Sequence, residues 1–438
     1  MSPLELGGVV LIVLLALIAT GMPIAFALGL VSIGALIATE GPGSISILGE
    51  TFFAGLNSFG LVSIPMFILM GAAVASSPAG RDLYEALDRW LTRVPGGLVL
   101  SNLGACGLFA ALSGSSPATC AAIGKMGIPE MRKRGYPPSI ATGSIAAGGT
   151  LGILIPPSIT LIVYGIATET SIGRLFLAGI LPGLLLVGLF MAWTLIACKA
   201  KGYALTSMSG SFTLREKMEA LPRVLPFLTI IVAILYVLYG GVATPSEAAG
   251  AGAMFCLLLV IVIYRMWKAG PIVDMFRDAI RESIMIMMII AASELFSFAL
   301  SSMFITQSVA GWIADLDVNR WALMGIINVF LLIAGFFLPP VAVILMTAPI
   351  LLPIITQAGF DPYWFAVVLT VNMEIGLITP PVGLNLYVIN GIVPDVPLGT
   401  ILRGSAPYVL CMVLAIIILC IFPAIATWLP EALMGRAL

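Results

Sequence analysis

The 438-residue sequence contains no histidine. That absence excludes His general bases, His proton relays and His metal ligands together. Charge is scarce as well. Asp, Glu, Lys and Arg make up 9% of the chain, against about a quarter in a soluble domain. With 20 Lys+Arg against 21 Asp+Glu, no basic surface is left over for nucleic acid. No ATP motif is present: Gly124-Lys125-Met126 lacks both the Gly-rich loop and the Ser/Thr of a P-loop. Nucleophile elbows, HExxH and zinc spacings are missing too. The lack of clustered carboxylates in the apolar runs argues against a membrane enzyme. The six cysteines (106, 120, 198, 256, 411, 420) lie in apolar runs without CxxC spacing. They read as small packing residues rather than metal or disulfide partners.

Apolar sequence fills the space that charge leaves. Hydrophobic residues account for 60%. Ten charge-free stretches reach 20 residues: 6–39, 51–80, 94–124, 135–168, 175–198, 224–246, 295–314, 321–360, 375–394 and 404–430. A bilayer-spanning helix needs about 20 apolar residues. Backbone polar groups in lipid must be paired internally, so these stretches are expected to be helical. Runs such as Val9 to Ile18 are apolar on every face, unlike the alternation of a membrane β-barrel. The first cation is Arg81, so the start lacks the positive region of a cleaved signal and reads as mature membrane protein. Clusters at Arg81–Arg93, Arg132–Arg134, Lys199–Arg223 and Arg265–Arg281 are expected on the cytoplasmic side. Arg174 and Arg320 are exceptions. Both termini are then expected outside, in a bacterial cell the periplasm.

The chain also repeats itself. Residues 128–138 (IPEMRKRGYPP) align with 352–362 (LPIITQAGFDP) at an offset of 224, and Gly152-x-x-x-Pro156-Pro157 aligns with Gly376-x-x-x-Pro380-Pro381. Gly179-x-x-Pro182 matches Gly404-x-x-Pro407 at 225, and Met22-Pro23 matches Thr244-Pro245 at 222. The loop Arg132-Lys133-Arg134 is basic and its mate Thr356-Gln357-Ala358 is neutral. The two loops are therefore expected on opposite sides, which makes the repeats inverted. The expected fold is an all-α polytopic membrane protein. The first repeat is 1–200, with a re-entrant hairpin at about 95–130 and a broken helix at about 139–168. A cytoplasmic linker, 201–221, follows. The second repeat is 222–438, with a hairpin at about 321–357 and a broken helix at about 362–393.

Four Gly/Pro/Ser stretches mark the breaks: Leu112–Pro117, Gly149–Pro157, Gly335–Pro340 and Gly376–Gly383. Each would free carbonyls that lipid cannot satisfy. Bound cations can take them up, and half-helix N-termini present N–H groups to an anion. A hairpin tip against a broken helix is thus a natural Na⁺ site, and two such pairs would flank an anionic substrate. The bland reading of one break is a proline kink; four breaks in one repeat register favour function. Several charges in apolar surroundings stay open. Glu294 reads either as a contact on a moving interface or as a paired carboxyl. Glu374 is expected near the outer end of its helix. Lys125 is expected to snorkel to the cytoplasmic face, and Glu247 to start a helix. Residues 79–93 form an amphipathic helix with Leu83, Leu87, Trp90 and Leu91 on one face. Arg81, Asp82, Glu85, Asp88 and Arg89 lie opposite. The helix is either an arm clasping a mobile part or a passive surface helix, and it has a weaker mate around 303–316.

The ordered set Ser113-Gly114-Ser115, Lys133–Tyr136, Ile155–Ser158, Leu177–Gly183 and Gly376–Gly383 resembles the large membrane (DctM-type) subunit of tripartite ATP-independent periplasmic, or TRAP, transporters. The resemblance covers nearly the whole chain. It implies an elevator-type scaffold plus transport domain, and Na⁺-driven uptake of an organic acid delivered by a soluble periplasmic binding protein. It also implies a small four-helix membrane subunit (DctQ type) as partner, and no such subunit is fused within this chain. By resemblance, one Na⁺ site involves Ser113, Ser116, Gly152, Ile155 and Pro157. The second involves Gly335, Gly376, Thr379 and Val382. Substrate is implied near Ser115, Pro340 and Asn385. This chain departs from the family at Ala118-Thr119 and at Leu338-Pro339-Pro340. A stand-alone Na⁺- or H⁺-coupled anion symporter of the same architecture is the alternative.

Overall fold

The computed structural model describes residues 1–91, 94, 96–200, 213–315 and 319–435. Arg93 and most of the expected linker, 201–212, lie outside the described residues. Among the described residues all regular structure is helical. Helices α1 (Pro3–Ala19), α2 (Ile24–Glu40), α3 (Leu48–Leu56) and α4 (Ser63–Ala75) come first. The amphipathic helix is α5 (Ala79–Leu91). Then follow α6 (Gly97–Ser113), α7 (Ser116–Lys133), α8 (Pro138–Thr150), α9 (Ile159–Ala167) and α10 (Ile172–Ala200). The second half contains α11 (Leu214–Tyr239), α12 (Pro245–Val262), α13 (Ala269–Ser302), α14 (Ile305–Asp315), α15 (Arg320–Phe337) and α16 (Pro340–Gln357). It ends with α17 (Pro362–Leu377), α18 (Leu384–Ile392), α19 (Leu398–Ile421) and α20 (Ala424–Met434). Six of these helices are long and apolar enough to cross a membrane, and a pair bent by 60° between residues 42 and 75 makes a seventh candidate.

Local chemistry sets the boundaries. Pro117, Pro138, Pro245, Pro340 and Pro362 sit in first turns, where a missing N–H costs nothing. Thr244 and Glu247 form a reciprocal capping box at the start of α12, as the sequence implied for Glu247. Asp361 caps α17 by accepting from the Tyr363 and Trp364 amides. Turns at Gly114-Ser115 and Leu338-Pro339 separate α6 from α7 and α15 from α16. Non-helical or 3-10 segments separate α8 from α9 and α17 from α18. The repeat register survives into structure: α7 starts at Ser116 and α16 at Pro340, each 18 residues long.

The helices sort into two packed groups. In one, α4 packs on α12 and α13, and α2 and α3 pack on α13. In the other, α8 packs on α6, α7 and α19, while α17 packs on α15, α10 and α19. The two groups meet where α4 touches α6 and α9, and where α13 and α14 touch α16.

Helix α5 bridges them, packing on both α6 and α11. Tyr264 donates to Asp82 and Arg89 donates to the Glu216 carbonyl. The sequence places Asp88 on the solvent face of this helix. The structure instead buries it, where it accepts both guanidinium nitrogens of Arg134 at 3.3 and 3.0 Å. The partner lies 46 residues away on the hairpin base, which no helical wheel can reveal.

Candidate functional site

At the first hairpin tip the Ser113 and Thr119 hydroxyls lie 2.9 Å apart, and Thr119 donates to the Ser115 carbonyl at 2.9 Å. Ser116 donates to the carbonyl of Thr150 at 3.3 Å, tying the tip to the end of α8. Opposite the tip stands Gly152, where a Cβ would lie 2.6 Å from the Ser115 oxygen. Only glycine lets the broken helix come this close. Ser113, Ser116, Gly152 and Pro157 are buried, and Ile155 is half-buried. Ser116 and Gly152 thus meet at one turn-and-break junction, where the Pro157 oxygen also lies 3.0 Å from where a Cβ on Gly114 would stand.

The second junction repeats this plan. A Cβ on Gly376 would collide with the carbonyl of Gly335. The Val382 amide donates to the Phe336 carbonyl at 3.3 Å, stitching the break to the hairpin. Thr379 turns its hydroxyl back on the Ile375 carbonyl at 2.6 Å. Unlike the first junction this one is open: Thr379 is half-buried and Val382 exposed. Pro156–Pro157 and Pro380–Pro381 are both cis.

Two cavities flank the helix groups. One, of about 500 Å³, is bounded by Ser76, Arg81, Ser113, Ser115, Lys125 and Glu282. The other, of about 980 Å³, is bounded by Glu50, Glu169, Glu294, Ser297 and Ser301. Helix α13 contributes Met275–Glu282 to the first and Glu294–Ser301 to the second, so they open at opposite ends of that helix. The family model for the DctM component of tripartite ATP-independent periplasmic transporters matches residues 11–425. The chain belongs to the DctM family.

Among relatives of this DctM-family permease, the C4-dicarboxylate TRAP transporter large permease protein DctM of Pseudomonas aeruginosa is 40% identical over 89% of this chain and 90% of its own length. The isethionate TRAP transporter permease protein DctMQ of Oleidesulfovibrio alaskensis is 34% identical over 92% of this chain and 63% of its own length. A solved structure, the YdaH transporter of Alcanivorax borkumensis, shares the fold at a TM-score of 0.63 and 15% identity, covering 92% of this chain and 91% of that one. The permease is thus a multi-pass membrane protein and the large permease of an ATP-independent transporter.

Of the implied substrate residues, Ser115 lines the smaller cavity. Pro340 is buried at the start of α16, and Asn385 is buried with its amide donating to the Ala146 carbonyl at 3.3 Å. Lys125 is exposed and borders the same cavity as Ser115. Glu294 is half-buried on the opposite cavity, where Gly55 packs onto its side chain. Glu374, in the last turn of α17, is fully buried, beside the Thr150 hydroxyl and the Ile153 amide of the other repeat. Its sequence signal, a carboxylate in an apolar run, marks it as costly without naming its neighbours.

Proposed function

We propose that this permease imports a small organic acid across the bacterial inner membrane by an elevator movement driven by a Na⁺ gradient. The observation that carries the reading is the repeated junction: in each half, a glycine of the broken helix presses on a carbonyl of the hairpin tip. Such junctions concentrate hydroxyl and carbonyl oxygens, the donor set of a hard cation, and the cradle is one that any Cβ would fill. Ser113, Ser116, Gly152, Ile155 and Pro157 would hold one Na⁺. Gly335, Gly376, Thr379 and Val382 would hold the other. Sodium supplies there the positive charge that freed carbonyls lack.

Arg81 and Lys125 on the wall of the cavity at Ser115 are matched there by Asp278 and Glu282; the N-terminus of α7, which starts at Ser116, is what favours an anionic substrate. C4-dicarboxylate and isethionate, in the names of the two relatives, belong to that class. The two helix groups support sliding of α6–α10 and α15–α20 along a scaffold of α1–α4 and α11–α13, in line with broken-helix transporters generally. On this reading both termini are periplasmic. A small membrane subunit docks on the scaffold, and a periplasmic binding protein delivers substrate.

The test is reconstitution in liposomes with the small subunit and the binding protein. Uptake that requires both an inward Na⁺ gradient and the binding protein is the expected result. Uptake without binding protein would favour the stand-alone symporter, and uptake indifferent to both would overturn the proposal.

A further inference from the structure

Glu374 is 0% exposed, and neither carboxylate oxygen has a hydrogen-bond partner. The Thr150 hydroxyl and the Ile153 amide are its polar neighbours, and the Thr150 hydroxyl donates to the Ala147 carbonyl at 2.6 Å. Cys120 on α7 also faces Glu374, and its thiol is directed to the Ile145 and Ala146 carbonyls. Among the described residues no Lys or Arg reaches this carboxylate. A dry, unpartnered carboxyl can ionise only in a place where a cation joins it.

The repeat register says where that place is. Thr150 and Glu374 are separated by 224 residues, the offset that relates Gly152 to Gly376. They are repeat mates, and they face each other. Two equivalent positions can be neighbours only close to the axis that relates the repeats. The two residues therefore stand between the hairpin junctions. The Thr150 carbonyl receives Ser116 of the first tip, and Glu374 lies two residues before the Gly376 that meets the second.

We propose that Glu374 is the carboxylate ligand of a further cation, bound near the pseudo-twofold axis between the two junctions, with the lone pairs of the Thr150 hydroxyl as a second donor. The site takes a small hard monovalent cation, Na⁺, and rests on the Na⁺ reading above. It differs from the junctions in supplying a formal negative charge. It also joins them mechanically, since a cation there draws α8 and α17 together.

The test needs no substrate. The purified full chain is melted in detergent at increasing NaCl, with choline chloride holding ionic strength constant. The slope of stability against the logarithm of Na⁺ concentration gives the number of ions bound on folding. Glu374→Gln is expected to lower that number by one. Thr150→Val is expected to keep the number and to raise the half-saturating Na⁺ concentration about tenfold. Should Glu374→Gln fail to fold, Glu374→Asp serves, with the number retained and the affinity lowered. An unchanged slope in Glu374→Gln, or unchanged affinity in both Thr150→Val and Glu374→Asp, overturns the proposal. A wild-type chain that melts identically in NaCl and choline chloride overturns the Na⁺ reading itself and this site with it. A Na⁺-responsive wild type beside an unaffected Glu374→Gln removes this site alone.

Discussion

At the scale of single residues, two glycines decide whether the hairpin tips can seat. A methyl on Gly376 would strike the Gly335 carbonyl and one on Gly152 the Ser115 carbonyl. Both obstacles are backbone, so relief requires moving a hairpin. Gly376→Ala and Gly152→Ala are each expected to destabilise by about 1–3 kcal/mol and to raise the Na⁺ concentration for half-maximal stabilisation, read from melting curves across a NaCl series. Thr379→Ala tests chemistry rather than shape. It is expected to raise the half-maximal Na⁺ concentration for transport, with little change in melting temperature, since the hydroxyl bonds back to the end of the preceding helix. These positions were legible in the sequence because Gly and Pro state their backbone demands directly. Glu374 was not. Its neighbour Thr150 is a full repeat away, and the register that pairs them also pairs an acid with a hydroxyl, which hides the relation.

At the scale of elements, α5 shows where pattern reading stops. Its amphipathic face was plain, and Leu83 is indeed buried. Yet one of the charges opposite, Asp88, is buried on Arg134, which donates also to Glu130 at 3.1 Å. Arg134→Ala leaves Asp88 without this partner. A loss of about 2 kcal/mol is expected, less than a fully buried pair because Arg134 keeps some exposure. The double variant with Asp88→Asn is expected to lose less than the sum, measured by thermal melting. Asp395 makes a different prediction. The Arg132 guanidinium holds its carboxyl below the usual carboxylate range. Its contribution is therefore complete above the unfolded carboxylate value of about 3.9 and is lost as pH falls through the lower folded one. Asp395→Asn is expected to flatten stability against pH on the acid side only.

At the scale of the whole molecule, the contact between the helix groups defines one state. A Cβ on Gly71 of α4 would stand 2.6 Å from the Ser113 carbonyl of the first hairpin tip. If the hairpin group slides, this clash exists only in the present arrangement. Gly71→Ala is then expected to shift the population toward the other arrangement, read as a several-fold change in labelling of Ser115→Cys by an impermeant thiol reagent in proteoliposomes of known orientation. Equal labelling with and without the substitution would count against the sliding. The helical architecture was readable from charge-free lengths, and the helix interruptions at 114–115, 154–158, 338–339 and 378–383 fall where Gly, Ser and Pro gather in the sequence. The two-group packing was not readable, because apolar runs are equally apolar whether they meet lipid or another helix.

The crossing of α8 and α19 carries one more consequence. Gly143 and Gly404 meet there backbone to backbone, and a Cβ on either would overlap the other helix. Packed helices ordinarily slide past each other on a layer of adaptable side chains. At the Gly143–Gly404 contact no side chain intervenes. A helix from each half of the chain is therefore pinned there like two struts at a rivet, and if the hairpin group slides, a push at one hairpin is expected to reach the other as displacement rather than being absorbed as shear.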